Sequence, residues 1–239
     1  MNSPSNAQSN AAADAKAGNQ APDKLDRNNF MVAVFADFVC PYSFITIDQM
    51  DRLTAEYGVR ILWRPHWLHP ETPPEGKPYD DNPETVKRRA AVMDWVKEMS
   101  PEHTTQMRFP DRMQNSFLAF EALEFAVDHG RSMPFKSAVF TRLWNEGEDI
   151  SKVATLQKAA ETSGLDAEKL GQALRARQYS QRALAAVTQA RDIGVTATPT
   201  MFIGRTRVNG WHYYEVIQTI MEKQGIAPLG DTPEASQHQ

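Results

Sequence analysis

The first strongly hydrophobic segment of the chain, residues 30–38, is a short continuous run rich in β-branched and aromatic side chains. Such a run predicts a buried strand. A helix is predicted to begin at Pro41, because proline suits the first helical turn, and to end at Gly58, a favoured C-terminal cap. Residues 59–64 then predict a second strand. Strand, helix and strand in this order indicate a parallel βαβ unit.

The middle of the chain carries helical periodicity. Closely spaced prolines between residues 65 and 83 first predict a loop. Apolar residues at helical spacing then predict helices over 84–99, 115–129 and 133–144. Three further helices are predicted to start at the N-cap residues Ser151, Asp166 and Ser180, since small polar side chains accept hydrogen bonds from free helix amides.

Strand character returns near the C-terminus. Residues 200–203 and 206–208 predict two strands joined by a Gly204–Arg205 turn, and residues 213–223 predict a final amphipathic helix. The layout is βαβ, a helical block, then ββα. It predicts an α/β protein with a four-stranded mixed sheet and a large all-helical insertion over residues 82–178.

Both ends of the chain are predicted to be disordered. Residues 1–29 contain a single large aliphatic residue, Leu25, and residues 230–239 are equally polar, so neither segment can bury enough surface to offset its conformational entropy. The folded body is therefore divided into residues 30–81, the insertion 82–178 and residues 179–229. Residues 1–29 have no apolar core of a secretory signal, from which a cytoplasmic protein is expected.

Composition excludes several classes of protein. The chain of 239 residues has a net charge of −4, which argues against nucleic-acid binding, because phosphate recognition depends on basic surface. No apolar run approaches the roughly 18 residues of a membrane-spanning helix. Its one cysteine, Cys40, excludes an internal disulfide and a cysteine-rich zinc site.

Cys40 is the sharpest chemical feature of the sequence. It stands between a predicted strand and the first turn of a predicted helix, where free amides and the helix dipole favour the thiolate. Cysteines at such positions can have a strongly lowered pKa, which makes Cys40 a candidate nucleophile. The alternative is an inert buried thiol, since free cysteines are usually buried.

A second feature is Pro199 at the head of the strand 200–203. A proline there is unusual, because it removes a donor of the sheet ladder, and it leaves open a cis bond after Thr198.

Taken together, the segments Cys40-Pro-Tyr-Ser43 and Val195-Thr-Ala-Thr-Pro199-Thr200 resemble the thioredoxin fold, and within it the DsbA family. The resemblance is narrower to the cytoplasmic, FrnE-like branch, with which the stretch from Trp63 to Pro70 also agrees. It covers residues 31–222. It implies that Cys40 attacks disulfides, that Pro199 is cis, and that the Thr198 backbone pairs with bound peptide. Pro41, Tyr42 and Trp211 are expected to line the same groove.

The chain departs from redox-active members of that family at Ser43, where most have a second cysteine. Without a resolving thiol, Cys40 can form a mixed disulfide with a protein or with glutathione, and an external thiol must complete the cycle. The Ser43 hydroxyl is expected to donate a hydrogen bond to the thiolate. The resemblance therefore implies a monothiol oxidoreductase with glutathione as co-substrate and no bound cofactor or metal.

Two alternatives remain. Kappa-class glutathione transferases and 2-hydroxychromene-2-carboxylate isomerases resemble this layout and carry Ser-Pro-Tyr-Ser at this turn; Asn115 would match an asparagine of their glutathione site. Their acidic–basic glutathione-binding pair is missing here, since the chain has Asn209-Gly-Trp-His-Tyr-Tyr214 instead. The other alternative is a non-catalytic thioredoxin-fold module that binds a partner. Thiol or disulfide substrates and glutathione are the expected partners, and a homodimer is left open.

Overall fold

The computed structural model of the protein describes residues 29–230. The predicted disordered ends, 1–29 and 230–239, lie outside these residues except for Asn29 and Gly230. The strands are β1 (Met31–Ala36), β2 (Arg60–Pro65), β3 (Lys77–Pro78), β4 (Arg112–Met113), β5 (Thr200–Ile203) and β6 (Thr206–Asn209). The helices are α1 (Pro41–Tyr57), α2 (Pro83–Met99), α3 (Pro101–Thr104), α4 (Phe117–Asp128), α5 (Ser132–Trp144), α6 (Val153–Thr162), α7 (Ala167–Arg175), α8 (Ser180–Asp192) and α9 (Tyr214–Lys223).

The main sheet has the strand order β2-β1-β5-β6. β1 runs parallel to β2 and antiparallel to β5, and β5 runs antiparallel to β6. Val34 lies opposite Trp63 on one side and opposite Met201 on the other. This confirms the predicted four-stranded mixed sheet built from a βαβ unit and a ββα unit.

Side chains alternate across β1 because successive residues of a strand point to opposite faces. Val32, Val34 and Ala36 pack with buried residues of α1 and α9, whereas Phe35 packs on the other face against Ala190 of α8. Both faces of the central strands are therefore covered. That explains why β1 reads as a continuous apolar run rather than as an alternating one.

The helices α2 and α4–α7 bury a second apolar core against the start of α1. Phe38 and Phe44 join it from the thioredoxin part of the chain, and the Phe38 ring centroid lies 4.9 Å from that of Phe140. The segment that carries Cys40 thus runs between the sheet core and the helical core. Residues of both halves of the chain hold it in place.

Several predicted details are wrong. The segment expected to be all-helical also contains β4, which pairs with β3 in the predicted proline-rich loop. A strand of two residues is too short to show the alternating pattern from which strands are predicted. Asp166 caps α7 as predicted, accepting from the amide of Lys169. Ser151 and Ser180 do not cap: the N-cap residues of α6 and α8 are Lys152 and Tyr179.

Candidate active site

Cys40 is the N-cap residue of α1, placed there by the chain turn that follows β1. Its amide donates to the Asp37 carbonyl at 3.2 Å, and its carbonyl accepts the Phe44 amide at 3.2 Å. Pro41 occupies the first helical turn, where its missing N–H group leaves no hydrogen bond unmade. These local contacts fix the position of Cys40, and only 3% of the residue is exposed.

The segment before β5 lies against the thiol. The Thr198–Pro199 peptide bond is cis. The Cys40 thiol donates to the Thr198 carbonyl with a sulfur–oxygen distance of 3.4 Å. The Pro199 carbonyl accepts the Gly210 amide at 2.8 Å, so it is already paired. The fold thereby brings together Cys40 and Thr198–Pro199, which are far apart in the sequence.

Burial raises the pKa of the Cys40 thiol above its ordinary value. Loss of water disfavours the charged thiolate, and this effect outweighs the side chains of Thr198 and Ser43, which lower the pKa. The expectation of a lowered pKa from the helix N-terminus is therefore wrong for the free protein. Sequence position reveals the nearby helix end, but it does not reveal how completely the thiol is covered.

Ser43 lies one helical turn after Cys40 and is fully buried. Apart from its effect on Cys40, its hydroxyl has no hydrogen-bond partner within residues 29–230. The buried hydroxyl of Thr198 likewise has no hydrogen-bond partner within residues 29–230 apart from its effect on Cys40. Two hydroxyl groups are thus available to a sulfur anion at this position.

Tyr42 and Trp211 belong to a row of aromatic side chains that starts two residues after Cys40, here called the aromatic wall: Tyr42, Trp95, Trp211 and Tyr213. Neighbouring ring centroids lie 5.4, 5.1 and 5.2 Å apart in that order. Tyr213 is 59% exposed, so the end of the wall opposite Tyr42 reaches solvent. Trp95 comes from α2 of the helical insertion. Its place here was not predicted, because it reads as one apolar position of an amphipathic helix.

Asn115 holds the start of α4. Its amide nitrogen donates to the Thr72 carbonyl at 2.5 Å, and its amide oxygen accepts from the Phe117 amide at 2.9 Å. Both polar ends of the side chain are engaged in fixing this loop. Each end of the amide has a second hydrogen or lone pair beyond these bonds, and the predicted binding role of Asn115 stays a prediction.

Asp37, directly after β1, is a buried acid that the sequence analysis did not single out. Its Oδ1 accepts from the Val39 amide at 3.2 Å and its Oδ2 from the Leu68 amide at 2.7 Å. It is fully buried, and burial raises its pKa even though the hydrogen bonds from the Leu68 and Val39 amides act in the opposite direction. In the sequence it is one polar residue inside an apolar run, and that interruption is the only signal that marks it.

No metal site was found in the part of the chain that the structure describes: within it, no three His, Cys, Asp or Glu side chains are grouped as metal ligands. None of the helices described is long and apolar enough to cross a bilayer.

Residues 31–222 match the family model described as a DSBA-like thioredoxin domain. The chain belongs to this family. Two relatives share 26% of their residues with it. The uncharacterised protein YwbO of Bacillus subtilis aligns over 75% of this chain and 89% of its own length. The 2-hydroxychromene-2-carboxylate isomerase of Sphingobium xenophagum aligns over 71% of this chain and 86% of its own.

Solved structures of the DsbA-like family show the same fold. A probable DsbA oxidoreductase from Streptomyces coelicolor superposes with a TM-score of 0.70 at 20% identity, over 82% of this chain and 90% of its own. The cytosolic disulfide reductase DsbM from Pseudomonas aeruginosa with GSH gives a TM-score of 0.58 at 11% identity, over 82% and 96% of the two chains. Proteins of similar fold thus include disulfide oxidoreductases, and the relatives in sequence include an isomerase.

Proposed function

We propose that this DsbA-like protein is a monothiol thiol–disulfide oxidoreductase in which Cys40 is the nucleophile and glutathione the co-substrate. The observation that carries the proposal is the thiol of Cys40 facing the Thr198 carbonyl beside Pro199, with Ser43 at the position of a resolving cysteine. The likeness in fold to a disulfide reductase whose structure contains glutathione supports it. A cytoplasmic location, where glutathione keeps thiols reduced, fits the same proposal.

The reaction takes place in two exchanges. The Cys40 thiolate attacks the glutathione sulfur of a mixed disulfide, R–S–S–G, and the R–S⁻ group leaves and takes up a proton from water. A second glutathione thiolate then attacks the glutathione sulfur held on Cys40, releasing oxidised glutathione and the Cys40 thiolate. The sum is R–S–S–G plus GSH giving R–SH plus GSSG, so electrons and protons balance.

The chain contributes three things to these steps. The hydroxyls of Ser43 and Thr198 stabilise the sulfur anion when Cys40 is the leaving group. When Cys40 is in a mixed disulfide, its S–H is gone and the Thr198 carbonyl is free to accept a backbone N–H of the substrate. The aromatic wall provides apolar surface for the group attached to the substrate sulfur.

The test is glutathione-coupled reduction of the mixed disulfide of glutathione and 2-mercaptoethanol. We expect turnover by the wild type and only the uncatalysed rate with Cys40→Ser, whose fold is checked by circular dichroism. Ser43→Cys restores a second thiol and should add dithiol oxidase activity on a reduced peptide. Wild-type turnover that survives in Cys40→Ser would refute the proposal.

A second function has a specific observation in its favour: the 26% identity to a 2-hydroxychromene-2-carboxylate isomerase over most of both chains. In that function glutathione binds without forming a disulfide. The raised pKa of Cys40 fits it, because a protonated thiol attacks disulfides poorly. Glutathione-dependent isomerisation of 2-hydroxychromene-2-carboxylate without disulfide turnover would select this function. Absence of both activities would select the non-catalytic binding module.

A further inference from the structure

A cavity of about 330 Å³ lies between the loop after β2, the start of α4 and the connection from α7 to α8. The apolar part of its lining includes the rings of Trp67 and Phe117, whose centroids lie 4.8 Å apart. Its polar part consists of three side chains, those of Asn115, Ser151 and Arg177. Small-molecule sites are of this kind, because they are commonly cavities of about 300–1,000 Å³ with mostly apolar walls and a few polar groups.

Arg177 is the one charged residue among the described residues that line the cavity. The other two polar side chains already bond within the chain. Both ends of the Asn115 amide bond to the backbone, and the Ser151 hydroxyl donates to Asp149 Oδ1 at 2.6 Å. The N-terminal end of α4, at Phe117, adds partial positive charge to the same wall. The cavity is therefore suited to a ligand with an apolar body and one negative charge.

The backbone of Arg177 adopts a conformation that usually requires glycine. Its φ is 55°, and among residues 29–230 it is the one residue other than glycine with a positive φ. The helices α1, α4, α6, α8 and α9 are each followed within two residues by a glycine with φ between 66° and 76°. Arg177 stands in that position after α7. A strained residue is retained where its side chain is needed, which glycine could not provide.

One role of the Arg177 side chain is to pair with a buried acid. Its Nη2 lies 2.7 Å from Oε1 of Glu121, whose side chain is fully buried, and 3.4 Å from Ser180 Oγ. The guanidinium carbon also lies 5.7 Å from the Phe117 ring centroid. Both polar contacts are made by Nη2, so the N–H groups of Nη1 and Nε are left as donors for a ligand.

We propose that this cavity binds a small carboxylate with an apolar body, and that Arg177 recognises the carboxylate group. A guanidinium forms strong, charge-assisted hydrogen bonds with a carboxylate, and the rings of Trp67 and Phe117 provide surface for the apolar part. A phosphate dianion is disfavoured, because the cavity offers one cation and mostly apolar walls. Cys40 does not line the cavity, so this binding site goes beyond the proposed oxidoreductase function and does not depend on it.

The test is isothermal titration calorimetry of the full chain with 3-phenylpropionate, and with 3-phenylpropanamide as its uncharged counterpart. We expect the acid to bind the wild type at least about tenfold more tightly than the amide, because a charged acceptor forms the stronger hydrogen bond. Cys40→Ser should bind the acid as the wild type does. That result separates this site from the proposed reaction at Cys40, whether or not the glutathione assay succeeds.

Two variants separate recognition of the ligand from pairing with Glu121. Arg177→Lys keeps a positive charge opposite Glu121 but not the planar guanidinium. The double variant Arg177→Gly, Glu121→Gln removes both charges of the pair and suits the backbone at residue 177, so it should fold. It should bind the acid at least about tenfold more weakly than the wild type. Arg177→Lys should have an affinity between the two.

The matched control is Arg175→Gln. This variant removes an arginine that is two residues away, pairs with Glu168 at 3.6 Å and does not line the cavity, and it should retain wild-type affinity. Circular dichroism checks the fold of each variant. The proposal is overturned if the wild type does not bind the acid, if acid and amide bind equally, or if the double variant keeps wild-type affinity.

Discussion

Lys136 of α5 is a lysine buried in the helical core, and its replacement by methionine should stabilise the protein. Only 1% of the residue is exposed, and its ammonium nitrogen has no hydrogen-bond partner within residues 29–230. The nitrogen lies 3.9 Å from the centroid of the Trp63 ring. Burial lowers its pKa to about 8, while Asp51 and Asp48 of α1 act in the opposite direction.

The magnitude follows from the difference between the folded and unfolded states. An unfolded lysine has a pKa of about 10.4, and each unit of difference corresponds to about 1.4 kcal/mol. A folded pKa of about 8 therefore means that the charged form costs roughly 3 kcal/mol on folding. The contact of the ammonium with Trp63 stabilises the charged form by about 0.5–2 kcal/mol, and the variant loses this contact. We expect Lys136→Met to gain about 1–3 kcal/mol at pH 7.

The sign of the pH dependence gives a sharper test. Between pH 8 and 10.4 the unfolded state binds more protons at this position than the folded state, so wild-type stability increases with pH there. The advantage of Lys136→Met should therefore shrink by about 2 kcal/mol between pH 7 and pH 9.5.

The measurement is urea unfolding followed by tryptophan fluorescence at both pH values. Lys87→Met, at an exposed lysine of α2, is the matched control and should change stability by less than about 0.5 kcal/mol. The reasoning is refuted if Lys136→Met is less stable than the wild type at pH 7. A stability difference that is the same at both pH values would also refute it.

Two further predictions test contacts that support the site and the insertion. Trp144→Phe leaves the buried Phe38 carbonyl without its indole donor and should lower the free energy of unfolding by about 1–3 kcal/mol, measured by urea unfolding; an unchanged midpoint would show that this bond contributes nothing. Asp166→Ala removes the N-cap of α7, whose carboxylate accepts from the Lys169 amide at 3.0 Å, and should cost about 1 kcal/mol in thermal unfolding, whereas Asp166→Asn should retain most of it.

The order of strands and helices could be predicted from local patterns because each depends on residues that are close in sequence. The Pro41 start and the Gly58 end of α1 are examples: a proline fits only certain turns, and Gly58 adopts a left-handed conformation with φ of 67°. The short pairing of β3 with β4 could not be predicted. Its partners stand far apart in the chain, and each strand has two residues.

The candidate site divides in the same way. Cys40 and Pro199 are recognisable in the sequence because a lone cysteine before a helix and a proline before a strand are locally unusual. That Trp95 continues the aromatic wall, and that Asp37 faces the active-site turn, depends on how the insertion and the loop after β2 pack against the sheet.

The charge state of the thiol depends most on tertiary structure. A helix N-terminus beside Cys40 is visible in the sequence and predicts an easily formed thiolate. The folded chain buries the sulfur beside the Thr198 carbonyl, and this burial raises the pKa of the thiol. The sequence thus specifies the elements and the candidate nucleophile, because these follow from local periodicity and residue type. The direction of the pKa shift follows from the exclusion of solvent by segments that are distant in the sequence, which no local pattern contains.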